Sequence, residues 1–341
     1  MNFKYLASLL CLGGLLSQPV TAHTIWSLGT NDNSAKEFAL GPSDYKNFLA
    51  NDFGYEDRYF LVGHSDFSRD IPYVLPGPAD GWSGTGGTSG WRNHDLTILF
   101  GVNSLPKSYK GKLVIDLVDI NADRSVVKVK VNNLTKKFFL DGGHQQVLDG
   151  DYSQAKERLL EIPVTGEDLK KGGNEIVISV LEGSWIVFDQ IRLEGEKSLK
   201  LAEPAKDAFV RNVEAASYEL TQEGKMIQPL LVDVEHLQGS PQLDVRLDGQ
   251  SIFTAQLDTA RYVFEAPMPA VQRKVKSTYE VVVNNQVIEK GKVVRTPQSS
   301  QTLADYVDTK IGSAHSRWMI APGPWMPFSM VKLSPDNQNG G

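Results

Sequence analysis

Cysteine is all but missing from these 341 residues: Cys11 is the only one. A lone thiol excludes an internal disulfide framework and cysteine-based zinc sites. Histidine is scarce too, at positions 23, 64, 94, 144, 236 and 315, and none falls in an H-E-x-x-H spacing. No G-x-S-x-G elbow occurs. A basic surplus is also lacking: 35 Lys and Arg stand against 41 Asp and Glu, for a net charge of −6. Without a basic field to displace phosphate counterions, a nucleic-acid partner is not expected. Nor is there an apolar run long enough to span a bilayer, so no membrane insertion is expected.

The longest apolar run lies at the start. In "MNFKYLASLLCLGGLLSQPVTA" (1–22), Lys4 supplies a positive start, Tyr5 to Leu16 an apolar core, and Val20-Thr21-Ala22 the small residues before a cleavage point. This is the pattern of a secretory signal peptide. Leu10 before Cys11 is too large for a lipoprotein site. The expected location is therefore secreted, periplasmic or on a bacterial cell surface, after cleavage near Ala22.

Beyond Ala22 the dominant signal is strand pattern. "KLVIDLV" (112–118), "VVKVKV" (126–131), "NEIVISVL" (174–181) and "WIVFDQIRL" (185–193) alternate or are apolar throughout, with Gly, Asn and Asp between them. Helical periodicity is nearly absent. The expected fold class is all-β: a jelly-roll β-sandwich of the galactose-binding-like kind over 23–196. The polar, proline-bearing stretch 197–204 reads as a linker. A second series, "LLVDVEHL" (230–237), "QLDVRLDG" (242–249), "RYVFEAP" (261–267) and "TYEVVVNNQVIEKGKVVRT" (278–296), predicts an immunoglobulin-like sandwich over 205–297. Its last run predicts a hairpin turning at Asn284-Asn285, since asparagine tolerates left-handed backbone. Residues 298–302 read as a linker, and 303–341 as the start of a third β-sandwich domain.

One loop stands out in the first domain. "DGWSGTGGTSGWRNHD" (80–95) places Trp82, Trp91, Arg92 and His94 among glycines. Indole faces stack on the C–H faces of sugars, and Arg or Asn bonds hydroxyls, so these four are candidate carbohydrate-binding residues. The alternative is a loop whose tryptophans plug the end of the sandwich. "DINADR" (119–124) imitates half of a calcium loop, but Arg124 and Lys130 stand where glycine and glutamate are needed, so a turn between strands is expected. Asp149, Asp151 and Glu157 read as a solvated loop.

Two stretches resemble known families. "TIWSLGTNDNSAKEF" (24–38), "YFLVGHSDFSRDIPYVL" (59–75), "YKGKLVIDLVDINADRSVVKVKVN" (109–132) and "GGNEIVISVLEGSWIVFDQIRLEG" (172–195) resemble, in order, the carbohydrate-binding-like third domain of rhamnogalacturonan lyases, polysaccharide lyase family 4. That resemblance implies a glycan-contacting jelly roll and brings no lyase residues. "LADYVDTKIGSAHSRWMIAPGPWMPFSMVKLSPDNQN" (303–339) resembles the opening of glycoside hydrolase family 92, the exo-α-mannosidases, with Ser329 replacing a usual glycine. It implies a calcium-dependent, inverting helical-barrel domain beyond Gly341, whose acid and base carboxylates and calcium are not in this chain. No cofactor is expected within the chain itself. His315, Arg317 and Trp318 either line that domain's sugar pocket or merely pack its first strands. The expected function is the non-catalytic front part of a secreted glycoside hydrolase acting on glycans, with carbohydrate as its partner. The alternative is a stand-alone glycan-binding or spacer protein.

Overall fold

The computed structural model describes residues 23–54, 57–84 and 94–298. The signal-like segment, Trp91 and Arg92, and the tail with His315, Arg317 and Trp318 lie outside the described residues. Eleven strands build the first sandwich: β1 (His23–Gly29), β2 (Tyr59–Leu61), β3 (Val74–Pro76), β4 (Asp95–Ser104), β5 (Lys110–Ile120), β6 (Ser125–Val131), β7 (Leu134–Leu140), β8 (Arg158–Thr165), β9 (Gly172–Glu182), β10 (Trp185–Gly195) and β11 (Lys200–Ala202). Eight build the second: β12 (Ala208–Ala215), β13 (Leu220–Gln222), β14 (Lys225–His236), β15 (Gln242–Leu247), β16 (Gln250–Gln256), β17 (Arg261–Pro269), β18 (Val275–Val283) and β19 (Gln286–Arg295).

Sheet I runs β1-β10-β5-β8, with β3 also on β10. Sheet II runs β11-β4-β9-β6-β7, with β2 parallel to β4. Their inner faces close on one apolar core that includes Trp26, Phe100, Ile115, Val129, Ile178 and Phe188. The second sandwich pairs a sheet of β12-β14-β13 with β17 against a sheet of β16-β15-β18-β19. Its smaller core centres on Val232, Val245, Met268 and Val281. The last two strands meet at Asn284 (φ 47°) and Asn285 (φ 65°), both left-handed, so the hairpin turns where the sequence predicts it. One expectation fails. Lys200–Ala202, inside the expected linker, pairs with β4, and Leu199 beside it is buried, so this stretch is an edge strand of sheet II.

The strand patterns report what covers each face. From Leu159 to Thr165, β8 alternates strictly, its even residues buried and its odd ones open to water. β5 is buried from Leu113 to Ile120 without alternation, because its outer face is also covered. The cover includes the 30–37 loop, and buried carboxylates tie it down. Asp189 accepts backbone N–H groups from Asp32 (3.2 Å) and Ser34 (3.1 Å). Asp116 accepts from the Asn31 amide at 2.8 Å, with Arg192 at 3.7 Å. Both carboxyls are fully buried, and each keeps one oxygen without a hydrogen bond among the described residues. Burial, then the neighbouring Glu157 and Asp189 charges, pushes the Asp116 carboxyl up to about 6, against the pull of Arg192.

That shift sets a pH dependence. The folded state holds the Asp116 proton up to pH about 6, whereas an unfolded aspartate loses it near pH ~3.9. The folded chain therefore loses stability as pH rises through about 6 and regains it on acidification toward the unfolded value. Asp116→Asn is expected to stabilise the chain at pH 7.5 by on the order of 1–2 kcal/mol and to have little effect at pH 4. Urea unfolding of both proteins at the two pH values checks this; an equal shift at both would refute it.

Candidate functional site

The second sandwich does not hang from the first. It docks on the outer face of sheet II, and the joint shapes a groove. Phe209 of β12 packs with Leu61 of β2 and Leu99 of β4, flanked by Tyr59 and Leu237. Alternation dictates this: Leu96, Ile98 and Phe100 of β4 point into the first core, so Leu99 faces outward and needs a cover. Beside this contact, the Arg211 guanidinium bonds Glu235 at 2.7 Å within its own sandwich and Glu175 of β9 across the joint. Lys170 donates to Asn212 Oδ1 at 2.7 Å, a second crossing. The backbones nearly touch: a Cβ on Gly173 would lie 2.5 Å from the Val210 carbonyl oxygen and 2.6 Å from that of Arg211.

Charge at the joint is desolvated. The Glu235 side chain is 3% exposed, and burial raises its carboxyl while Arg211 opposes the rise. Burial likewise lowers the Lys170 ammonium. Burial, helped by the Glu235 charge, raises the Tyr59 phenol.

The uncovered part of sheet II floors a cleft of about 300 Å³, lined by Tyr59, Thr97, Lys128 and Lys130, with Arg211 and Arg261 on the far wall. A further cleft of about 470 Å³ shares Lys130, Glu175, Arg211 and Arg261 with it and adds Asn132, Asn133, Asn174 and Asn212. Arg261 is held by a two-point pair with Asp233 at 2.8 and 2.6 Å. Asn132 donates to Asn174 Oδ1 at 2.9 Å and accepts from the Glu175 N–H at 3.1 Å, so the amide row is fixed in place. Amides, ammonium groups and carboxylates on one floor offer donors and acceptors together, which is what sugar hydroxyls require. Volumes of this size suit a few sugar units.

Of the loop residues singled out in sequence, Trp82 and His94 are described, and they lie beside an aromatic group of the first sandwich. Trp82 is half-buried, with its ring 5.1 Å from Tyr45 and 5.6 Å from Phe48, edge to face. His94 is buried, its Nε2 2.8 Å from the Ser83 carbonyl oxygen and its ring 5.3 Å from Phe48. Asp80 accepts the backbone N–H groups of Trp82 (2.9 Å) and Ser83 (3.0 Å), which fixes the start of the loop. Phe53 joins this aromatic group, and the Arg58 guanidinium lies 4.0 Å over its ring. Arg58 also lines the groove, so the aromatic group borders it.

Among the described residues, no group of three or more His, Cys, Asp or Glu side chains has metal-site geometry. Asp119 is occupied: it accepts from the N–H groups of Ile120 and Lys156, each at 2.9 Å, and stands 2.9 Å from His144 Nδ1. Residues 121–124 form the turn between β5 and β6, as the sequence predicts. Sequence reasoning missed the groove because its walls come from strands far apart in the chain. The lysines of "VVKVKV" were its only local signal.

The joint predicts its own failure modes. Arg211→Ala leaves Glu235 and Glu175 without their cation and is expected to cost about 3 kcal/mol in chemical denaturation. Gly173→Ala is expected to part the sandwiches, raising the radius of gyration in small-angle scattering while each β-sandwich keeps its circular dichroism. An unchanged radius would show that the backbones do not meet at Gly173.

No curated protein sequence matches the chain. Among solved structures, it is similar to the GH2 β-galacturonidase of Eisenbergiella tayi, with 10% identity, 60% of this chain and 35% of that one covered, and a TM-score of 0.22. It is similar to the exo-chitosanase CsxA of Amycolatopsis orientalis, with 13% identity, 81% and 33% covered, and a TM-score of 0.22. The fibronectin(III)-like modules of Clostridium thermocellum CbhA share 12% identity over 59% of this chain and 91% of that one, with a TM-score of 0.18. The chain spans about a third of the length of the two enzymes. Scores this low carry no functional argument. The sequence match is more specific: residues 24–193, the first sandwich almost end to end, match the family described as CBM-like, polysaccharide lyase family 4, domain III.

Proposed function

We propose that this chain is the non-catalytic front part of a secreted glycan-degrading enzyme, and that it binds carbohydrate in the groove between its two sandwiches. The observation that carries the reading is the amide-lined, polar groove on a module whose sequence matches a carbohydrate-binding-like family. Two of the carboxylates facing it, Glu175 and Asp233, are each tied to an arginine, which suits them to holding the groove in shape. The finer reading, an inverting, calcium-dependent exo-α-mannosidase, is supported by the resemblance of 303–339 to glycoside hydrolase family 92. On that reading His315, Arg317 and Trp318 belong to the enzyme's sugar pocket, and Trp82, Trp91 and Arg92 border the glycan path, with the buried His94 supporting the loop from behind. Export through the 1–22 segment is part of the same proposal.

Isothermal titration of the full chain with α-mannan and with rhamnogalacturonan tests it. Binding to α-mannan is expected, weakened about tenfold by Asn133→Ala with Asn212→Ala, which removes two groove amides. Trp82→Ala and Trp91→Ala are expected to weaken it further if the loop borders the glycan. Binding to neither polysaccharide would leave a spacer; binding to rhamnogalacturonan alone would overturn the mannan assignment.

A further inference from the structure

One end of sheet II carries three lysines that no carboxylate pairs at close range among the described residues, although Asp57, Asp95 and Glu175 line the same cleft. Val127, Val129 and Val131 of β6 point into the first core, so Lys128 and Lys130 stand on the outer face. In the register with β7, Lys128 lies directly opposite Lys137, and Val126 opposite Phe139. Lys130 is the next outward residue of β6, opposite Thr135. Like charges directly opposed across antiparallel strands are destabilising. No carboxylate lies within 4.0 Å of these three ammonium groups among the described residues. Three arginines nearby are paired, Arg124 with Glu182, Arg211 with Glu175 and Glu235, and Arg261 with Asp233, while Arg58 bonds the Asn51 carbonyl and lies over Phe53. Phe139, on the same face as Lys137, is 70% exposed, the most exposed large apolar side chain among the described residues.

We propose that the outer face of β6 and β7 binds a sulfate ester on a glycan, with Lys128, Lys130 and Lys137 on the sulfate and Phe139 stacked on the sugar that bears it. The assignment rests on the glycan-binding reading of the groove, whose floor includes Lys128 and Lys130. Opposed lysines are tolerable where an anion sits between them. A planar carboxylate is matched best by the two-pronged arginine fork, whereas separate ammonium point charges suit the three terminal oxygens of a tetrahedral ester. Asp95 ends the row that runs through Ser179 and Lys128 to Lys137, and the chain's net charge is −6. Both weigh against a doubly charged phosphate monoester and favour the singly charged sulfate. An exposed phenyl face beside the cations supplies the apolar surface that a sugar ring covers.

The test is binding of the full chain, in physiological salt, to dextran sulfate, dextran, phosphorylated dextran and polygalacturonate. Dextran sulfate is expected to bind more tightly than the other three. Lys128→Gln with Lys137→Gln is expected to weaken that binding by about tenfold, and Phe139→Ser by roughly threefold. Lys110→Gln with Lys225→Gln, two exposed lysines away from this face, is expected to leave it unchanged. All variants are solvent-facing, and matching thermal melts establish that they fold. Equal loss in the remote pair would reduce the effect to general charge and overturn the proposal. So would equal or tighter binding of polygalacturonate or phosphorylated dextran. If α-mannan binds while sulfate confers no preference, only this proposal fails. If no polysaccharide of any charge binds, the glycan-binding reading falls with it.

Discussion

The Arg211 guanidinium decides the shape of the molecule. It sits 10% exposed between Glu235 of its own sandwich and Glu175 of the other. A buried arginine must be matched by carboxylate, or its desolvation outweighs the contact. Both carboxylates are supplied, one from each side, so the guanidinium is satisfied only when the sandwiches are docked. Phe209 fills the apolar half of the same joint against Leu61 and Leu99. Apolar burial supplies affinity there, and the ion pairs fix direction. The groove is a by-product of that fixed direction: part of sheet II is covered, part is left open, and the second sandwich becomes its wall.

The same economy governs the outer face of sheet I. There the cover is not a domain but a loop, and the ties are Asp189 and Asp116 rather than an arginine. Asp189 satisfies loop N–H groups that burial would otherwise orphan. Burial raises both carboxyls, and Asp116 is pushed further by the Glu157 and Asp189 charges beside it. Sheets with one wet face thus appear only where no loop or domain lies over them, as at β8 and the outer strands β6 and β7. The chain's alternating and non-alternating strands are a record of this covering.

Much of the fold was legible in the sequence because it is local. "VVKVKV" alternates, and its lysines are outward in the structure; "NN" at 284–285 turns left-handed as asparagine permits. β8 escaped notice because Pro163 interrupts its pattern, although it sits as the residue opposite Lys112 on an edge strand, where proline is tolerated. β11 escaped because Lys200–Ala202 is short and lies in polar sequence; only its pairing with β4 makes it a strand. The groove leaves almost no local trace beyond the lysines of "VVKVKV". Glu175 and Arg211 are 36 residues apart, and neither belongs to a motif. The glycine-rich setting of His94 suggests a ligand contact, and the structure buries the ring against Phe48 and the Ser83 carbonyl.

The glycine at the joint has a mechanical consequence. With no side chain at Gly173 to hold the strands apart, the two sandwiches meet backbone to backbone, and a hinge has no slack in which to swing. The far end of the second sandwich is secured as well, with Gln298 donating its N–H to Glu219 and Arg295 reaching the Pro269 carbonyl. From the floor of the groove to Gln298 the chain is then a stiff lever rather than a tether. On the proposed function, a glycan held in the groove would fix the bearing of the far end as well as its distance, so orientation, and not merely local concentration, is what such a module could transmit.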